Sequence, residues 1–243
     1  MNNSTPEGRE ATVSGVSALR RFAAPASSNS SKEAVERCEL CGEQLAHEHP
    51  HLVDLRERSI ICSCTACGLL FDRPGARYRK VPDRVLTDPD SPLSEAEWAE
   101  LRIPVSIAFF FANSDQDRVV ASYPSSAGVT ECELDISSWD RLATEHPLLA
   151  APEKDVEALL VVSGRAPGAA ADAGEEPDAD IGKGLVGEGI ETFLVPIDVC
   201  YSLAGALRME WHGFDGGPEV RKILTDLMTD LRRRARPLAS APG

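Results

Sequence analysis

The chain has no apolar run of the roughly 18 residues that a membrane-spanning helix needs, and residues 1–34 hold no continuous apolar stretch ending in a small-residue cleavage site. Membrane insertion and export are not expected, and the expected compartment is the cytoplasm. Positive charge is also short: 25 Lys and Arg face 39 Asp and Glu, for a net charge of −14 and a pI near 4.8. Binding to a phosphate backbone rests on cationic side chains, so nucleic acid is not an expected partner. Residues 35–80 do not repair the deficit, since seven Lys and Arg there meet seven Asp and Glu. Catalytic signatures are missing as well, with no Gly-x-Ser-x-Gly elbow, no Walker loop and no His-Glu-x-x-His. Gly182, Gly184 and Gly187 do spell Gly-x-Gly-x-x-Gly. That stretch follows an acidic tract and leads into the strand-like ETFLVPI, whereas a dinucleotide loop must open a helix. No internal repeat is visible.

What is present suits one ordinary core plus a small appendage: 243 residues, 42% hydrophobic and 26% charged. Residues 1–34, rich in Ser, Ala, Asn and Pro, read as a disordered tail, within which Val16, Leu19 and Phe22 are spaced for a short partner-bound helix. Residues 35–75 hold a cysteine module, and residues 76–236 an α+β domain. The Pro-, Gly- and Asp-punctuated stretch from Pro74 to Pro92 reads as a connecting linker. Ser94 with Glu97 is a capping box that opens a helix. The segments IPVSIAFFFA and RVVASY, joined by NSDQD, read as a β-hairpin, and TECELDI as a third strand. Trp139, Leu142 and Ala143 share helical spacing, VEALLVVS is a buried strand, and residues 165–189 form a mobile acidic loop. ETFLVPI returns to strand. A helix follows with Asp198 as N-cap and Gly213 as C-cap, and a last helix has Pro218 at its first position. Strands interrupted by helices without βαβ alternation predict α+β with a mainly antiparallel sheet.

Five of the seven cysteines fall between Cys38 and Cys67. Two Cys-x-x-Cys-Gly units, Cys38/Cys41/Gly42 and Cys64/Cys67/Gly68, stand 22 residues apart, which is zinc-ribbon spacing. Two intervening residues let both thiolates of a turn enter one tetrahedral site, and the glycine that follows suits the positive φ of such a turn. HLVDLRERSIIC between them is the hairpin that stacks one turn on the other. Cys38, Cys41, Cys64 and Cys67 are therefore the expected metal ligands. Cys62, one residue removed from Cys64, is the spare thiol and the possible substitute for it. Four sulfurs suit zinc, and they equally suit a single rubredoxin-like iron, which would make the module an electron carrier. His47, His49 and His51 alternate as a strand would place them, but Pro50 interrupts the run, so exposed histidines are expected in preference to a second site. Cys132 and Cys200 are isolated thiols.

The segments CELCG, HLVDL, CSCTACGLLFD, IPVSIAFFFANS, VVASYPSSAG, VEALLV, PIDVCYSLAG and WHGFDGG together resemble the actinobacterial DUF5947 family over roughly residues 35–235. Genes of that family often lie beside those of [NiFe] hydrogenases, so the resemblance implies a hydrogenase structural or maturation protein as partner. It implies no defined activity. The expected function is a non-enzymatic metal-binding accessory protein, with the iron redox carrier as alternative. An enzyme using a pocket near Trp211 and Asp215 is the residual reading.

Overall fold

A computed structural model of the chain describes residues 36–103, 105–125, 128–132, 136–164, 185–187, 189–212 and 216–239. The tail expected over residues 1–34 and most of the acidic loop lie outside them. The elements run β1 (His51–Asp54), β2 (Ser59–Cys62), α1 (Thr65–Phe71), β3 (Tyr78–Lys80), β4 (Leu86–Thr87), α2 (Glu95–Glu100), β5 (Ile107–Asn113), β6 (Arg118–Ser125) and β7 (Gly128–Cys132). They continue with α3 (Ile136–Glu145), α4 (Pro147–Ala150), β8 (Glu157–Ser163), β9 (Ile190–Pro196), α5 (Ile197–Glu210), α6 (Gly217–Arg234) and β10 (Arg236–Pro237).

The unbroken apolar run of β5 explains the layering. Alternate strand residues point to opposite faces, so a strand apolar from Ile107 to Ala112 must be covered on both. Ile107, Phe109 and Phe111 enter one core, together with Leu160 and Val162 of β8 and Leu203, Leu207, Leu224 and Met228 of α5 and α6. Ala108 and Phe110 enter a second core with Trp98 of α2, Trp139 and Leu142 of α3, and Leu159 and Val161 of β8. The sheet between them has the order β10-β4-β9-β8-β5-β6-β7. Every pairing is antiparallel except β10 with β4. The fold is therefore α+β with a mainly antiparallel sheet, as the strand order along the sequence predicts.

Several local expectations shift. β7 stops at Cys132, and Ile136 already belongs to α3. Pro196, not Asp198, caps α5, and Asp198 lies in the first turn, where a carboxylate still meets the positive end of the helix. Trp211, not Gly213, is the C-cap of α5, and Gly217 opens α6, so Pro218 is its second residue. The Pro-rich connecting stretch carries β3 and β4, of which β3 joins β1 and β2 in a separate sheet of order β2-β1-β3.

That small sheet is seated on the large one. Val53 of β1 and Val81 just after β3 belong to the α5/α6 core, and Leu55 and Ile60 pack against it. Arg58, in the β1–β2 turn, donates to buried Asp155 at 3.0 Å, and Arg79 of β3 donates to Glu153 at 3.0 Å. His51 of β1 reaches Asp198 of α5 at 2.5 Å.

Candidate metal centre

The first knuckle follows from local hydrogen bonding. Cys38 N–H donates to Glu43 O and Gly42 N–H returns to Cys38 O, both at 2.8 Å. Closing so tight a loop needs a left-handed residue, and Gly42 supplies it with φ +80°. The second knuckle is built differently. Cys64 is the N-cap of α1, its sulfur accepting from Cys67 N–H at 3.4 Å, so both sulfurs sit at a helix N-terminus. Gly68 is accordingly helical, not the positive-φ residue its spacing suggests. A Cβ added there would meet Ser63 Oγ at 3.5 Å and Pro50 at 3.6 Å, ordinary contact distances, so packing does not demand a glycine at this position.

β1 and β2 pair in the register His51↔Cys62 through Asp54↔Ser59, which stacks the two knuckles. The sulfurs of Cys38, Cys41, Cys64 and Cys67 all lie within 4.8 Å of one another, and Cys41 Sγ is 3.7 Å from Cys64 Sγ. This group can hold a metal ion. Cys38 and Cys67 are buried, Cys64 is half-buried and Cys41 is exposed. The electrostatics suit a cation. Burial pushes the Cys38 thiol up, but backbone N–H groups of Cys64, Cys41 and Leu40 aimed at it bring it down to about 6. Cys67 is pushed up to about 12, by burial first and then by the sulfurs of Cys41, Cys64 and Cys38 around it. One thiolate in the cluster thus makes the next harder to form, and a dication at the centre removes that conflict.

Cys62 does not join this group. It lies instead with His49 and His51, the ligand atoms of the three within 4.8 Å of one another. His47 is exposed as expected, whereas His49 and His51 are half-buried and their rings meet edge to face at 4.9 Å between centroids. The hydrogen bond it donates to Asp198, the largest influence, holds His51 above the usual imidazole range. Sequence reasoning reads Asp198 only as a helix cap and misses its contact with His51, because 147 residues separate the two and no motif spans such a gap. Cys132 is half-buried at the end of β7, and Cys200 is fully buried in the α5/α6 core, where burial pushes its thiol up. All seven cysteines are free thiols.

Away from the cysteines, a cleft of about 380 Å³ is lined by Thr87, Ser91, Leu148, Thr192 and Arg232. Its one cationic side chain is engaged, since Arg232 forks onto Glu191 at 2.7 and 2.9 Å. Trp211 does not line this cleft, and Asp215 lies outside the described residues. Among the described residues, no helix is long and apolar enough to cross a membrane.

Fold and cluster define a class: an α+β protein with a ribbon-like hairpin module that draws four cysteines close enough to hold a metal ion. Within that class the family is a particular one. Residues 37–235 match the family described as "Family of unknown function (DUF5947)", and the chain belongs to it. No curated protein and no solved structure matches the chain.

Proposed function

We propose that the chain is a zinc-binding accessory protein in which Cys38, Cys41, Cys64 and Cys67 hold one structural zinc. The observation that carries this reading is the four sulfurs gathered within 4.8 Å from two separate knuckles. Four thiolates around zinc close its coordination, which leaves a rigid scaffold and no open position for chemistry. The scaffold is held on the sheet domain by Arg58–Asp155 and His51–Asp198 and presents Leu69 and Leu70 of α1 outward. The partner we assign to it is a hydrogenase structural or maturation protein, on the strength of the gene neighbourhoods of the DUF5947 family.

Elemental analysis with an absorption spectrum, on protein purified anaerobically without added metal, tests the metal. Colourless protein with at least one zinc per chain, reduced by one equivalent in Cys41→Ser, supports the reading. Iron with visible charge-transfer bands replaces it with a rubredoxin-like electron carrier on the same four sulfurs. Metal-free protein that takes up neither ion overturns both. The partner is tested separately: a tagged chain that co-purifies with no hydrogenase or maturation component refutes that assignment and leaves the zinc scaffold standing.

A further inference from the structure

We infer that His49, His51 and Cys62 form a second metal site, distinct from the four-cysteine cluster, for a borderline divalent cation of the zinc class. It shares no ligand with the cluster. Three donors come together from two strands and the loop before them: His51 and Cys62 are direct cross-strand partners, which puts both side chains on one face of the hairpin. His49 joins them across Pro50, whose carbonyl is fixed by Ser63 N–H at 2.9 Å and Ser63 Oγ–H at 3.1 Å. One ring nitrogen of each histidine and the Cys62 sulfur lie within 4.8 Å of one another. A tetrahedral zinc with Zn–N near 2.1 Å and Zn–S near 2.3 Å sets such donors about 3.5 Å apart, so they need to close by at most about 1.4 Å.

The outer partners are arranged as a metal site requires. His49 Nδ1 is 2.9 Å from the Ala46 carbonyl, to which it donates, and 3.6 Å from a Glu36 carboxylate oxygen. Its other nitrogen, Nε2, then carries the lone pair. That nitrogen is buried without a hydrogen-bond partner, on a side chain only 7% exposed. Burying an imidazole nitrogen unpaired is unfavourable unless something fills its valence, and a cation shared with the neighbouring donors does so. His51 is oriented in the same way. Its Nδ1 donates to Asp198 Oδ2 at 2.5 Å, leaving Nε2 for a metal, in the carboxylate–histidine–metal order that fixes tautomer and raises ligand basicity. Glu39 accepts from the Cys62 N–H at 2.9 Å and, with Glu36, adds negative charge nearby. Two imidazoles and one thiolate leave a fourth position open, unlike the closed four-sulfur set. Because Asp198 belongs to α5, a cation here would tie the hairpin module to the sheet domain.

The full-length reduced chain, loaded with Zn²⁺ alone at pH 8 and desalted, is expected to retain two equivalents by elemental analysis. Cys62→Ser and His49→Gln should each retain one, with an unchanged far-ultraviolet circular dichroism spectrum. Asp198→Asn should weaken the second equivalent by about tenfold, the scale on which outer-shell partners act. Co²⁺ titration of the wild-type chain gives an independent reading that no misfolded variant can confuse. A second, weaker thiolate-to-cobalt band appearing after the four-sulfur spectrum has saturated supports the site. A single class of cobalt spectrum, one zinc per wild-type chain after loading, or two equivalents retained in both folded variants would overturn it. Each of those results leaves the four-cysteine reading intact, which Cys41→Ser tests.

Discussion

The hairpin module and the seven-stranded sheet are held together by different forces. In β8 every residue is buried, and in β5 all but one. In the module, β2 is half-buried throughout, and Leu69, Leu70 and Phe71 of α1 are exposed. Beyond the few apolar side chains of β1 that reach the core, its order comes from a polar frame: buried Asp54 takes a fork from Arg77 at 2.5 to 3.0 Å and caps the β1–β2 turn through the Arg56 and Glu57 N–H groups. A module this small cannot bury enough apolar surface to fold on that alone, and small modules compensate with cross-links or metal. Hydrophobic periodicity therefore reports the sheet, and cysteine spacing reports the module.

Removing the proposed zinc should produce the largest effect and confine it to one side of this divide. Structural zinc contributes on the order of 10 kcal/mol to small metal modules. Chelation, or Cys38→Ser, is expected to bring amides of β1 and β2 to near-unprotected hydrogen exchange while β5 and β8 stay protected. Loss of protection in β5 and β8 at the same rate would show one cooperative unit and erase the distinction.

The converse break comes from Phe110, buried in the second core, stacked on Trp139 at 4.8 Å and edge-on to Trp98 at 6.1 Å. Phe110→Ala should lower the unfolding free energy of the sheet domain by about 3 to 5 kcal/mol, through lost burial and the cavity left behind. Urea unfolding followed by tryptophan fluorescence measures it, and bound metal should remain unchanged in the folded variant.

How far each region is legible in the sequence follows the same line. The Phe109–Phe111 run, the Ser94/Glu97 capping box and the paired Cys-x-x-Cys units are local patterns, and each appears where its spacing puts it. The strands β3, β4 and β10 are two or three residues long and lie among prolines and arginines; β3 and β4 form because the longer β1 and β9 are beside them to pair with, and β10 adds to β4 at the sheet edge. Gly68 repeats the Gly42 signature but serves a helix, because Cys64 happens to cap one. The grouping of Cys62 with His49 and His51 depends on hairpin register, and its tie to Asp198 on tertiary docking. Neither leaves a periodicity to read.

A smaller, pH-dependent effect belongs to the sheet domain alone. The Ser94 hydroxyl, then His146, then the Ser94 N–H hold Glu97 from its ordinary 4.5 down to about 2. A carboxylate depressed on folding contributes stability that is complete above the unfolded value and is lost as pH falls through the folded one. The domain should therefore lose up to about 3 kcal/mol between pH 4.5 and 2 through this group, whose side chain is 21% exposed. Glu97→Gln should be less stable at pH 7 and flatter across that window in urea titrations at fixed pH. Identical slopes in the two proteins would show that the capping network carries no linkage.

The smallest effect is expected where an apolar side chain belongs to the module and not to a core. Leu69 is 67% exposed, so its transfer from water is largely incomplete in the folded chain, and folding gains little from it. Leu69→Ser should change the unfolding free energy by less than about 0.5 kcal/mol, the usual range for surface substitutions. Leucine and serine both lie within the ordinary range of helix propensity, so the position within α1 adds only tenths to that figure. Phe110→Ala and Leu69→Ser thus remove apolar surface from the two regions with an expected disparity of several-fold or more. A loss of 2 kcal/mol at Leu69, measured in the same urea titration, would mean that the module's outer face is packed in the folded chain. The module would then rest on burial as the sheet does.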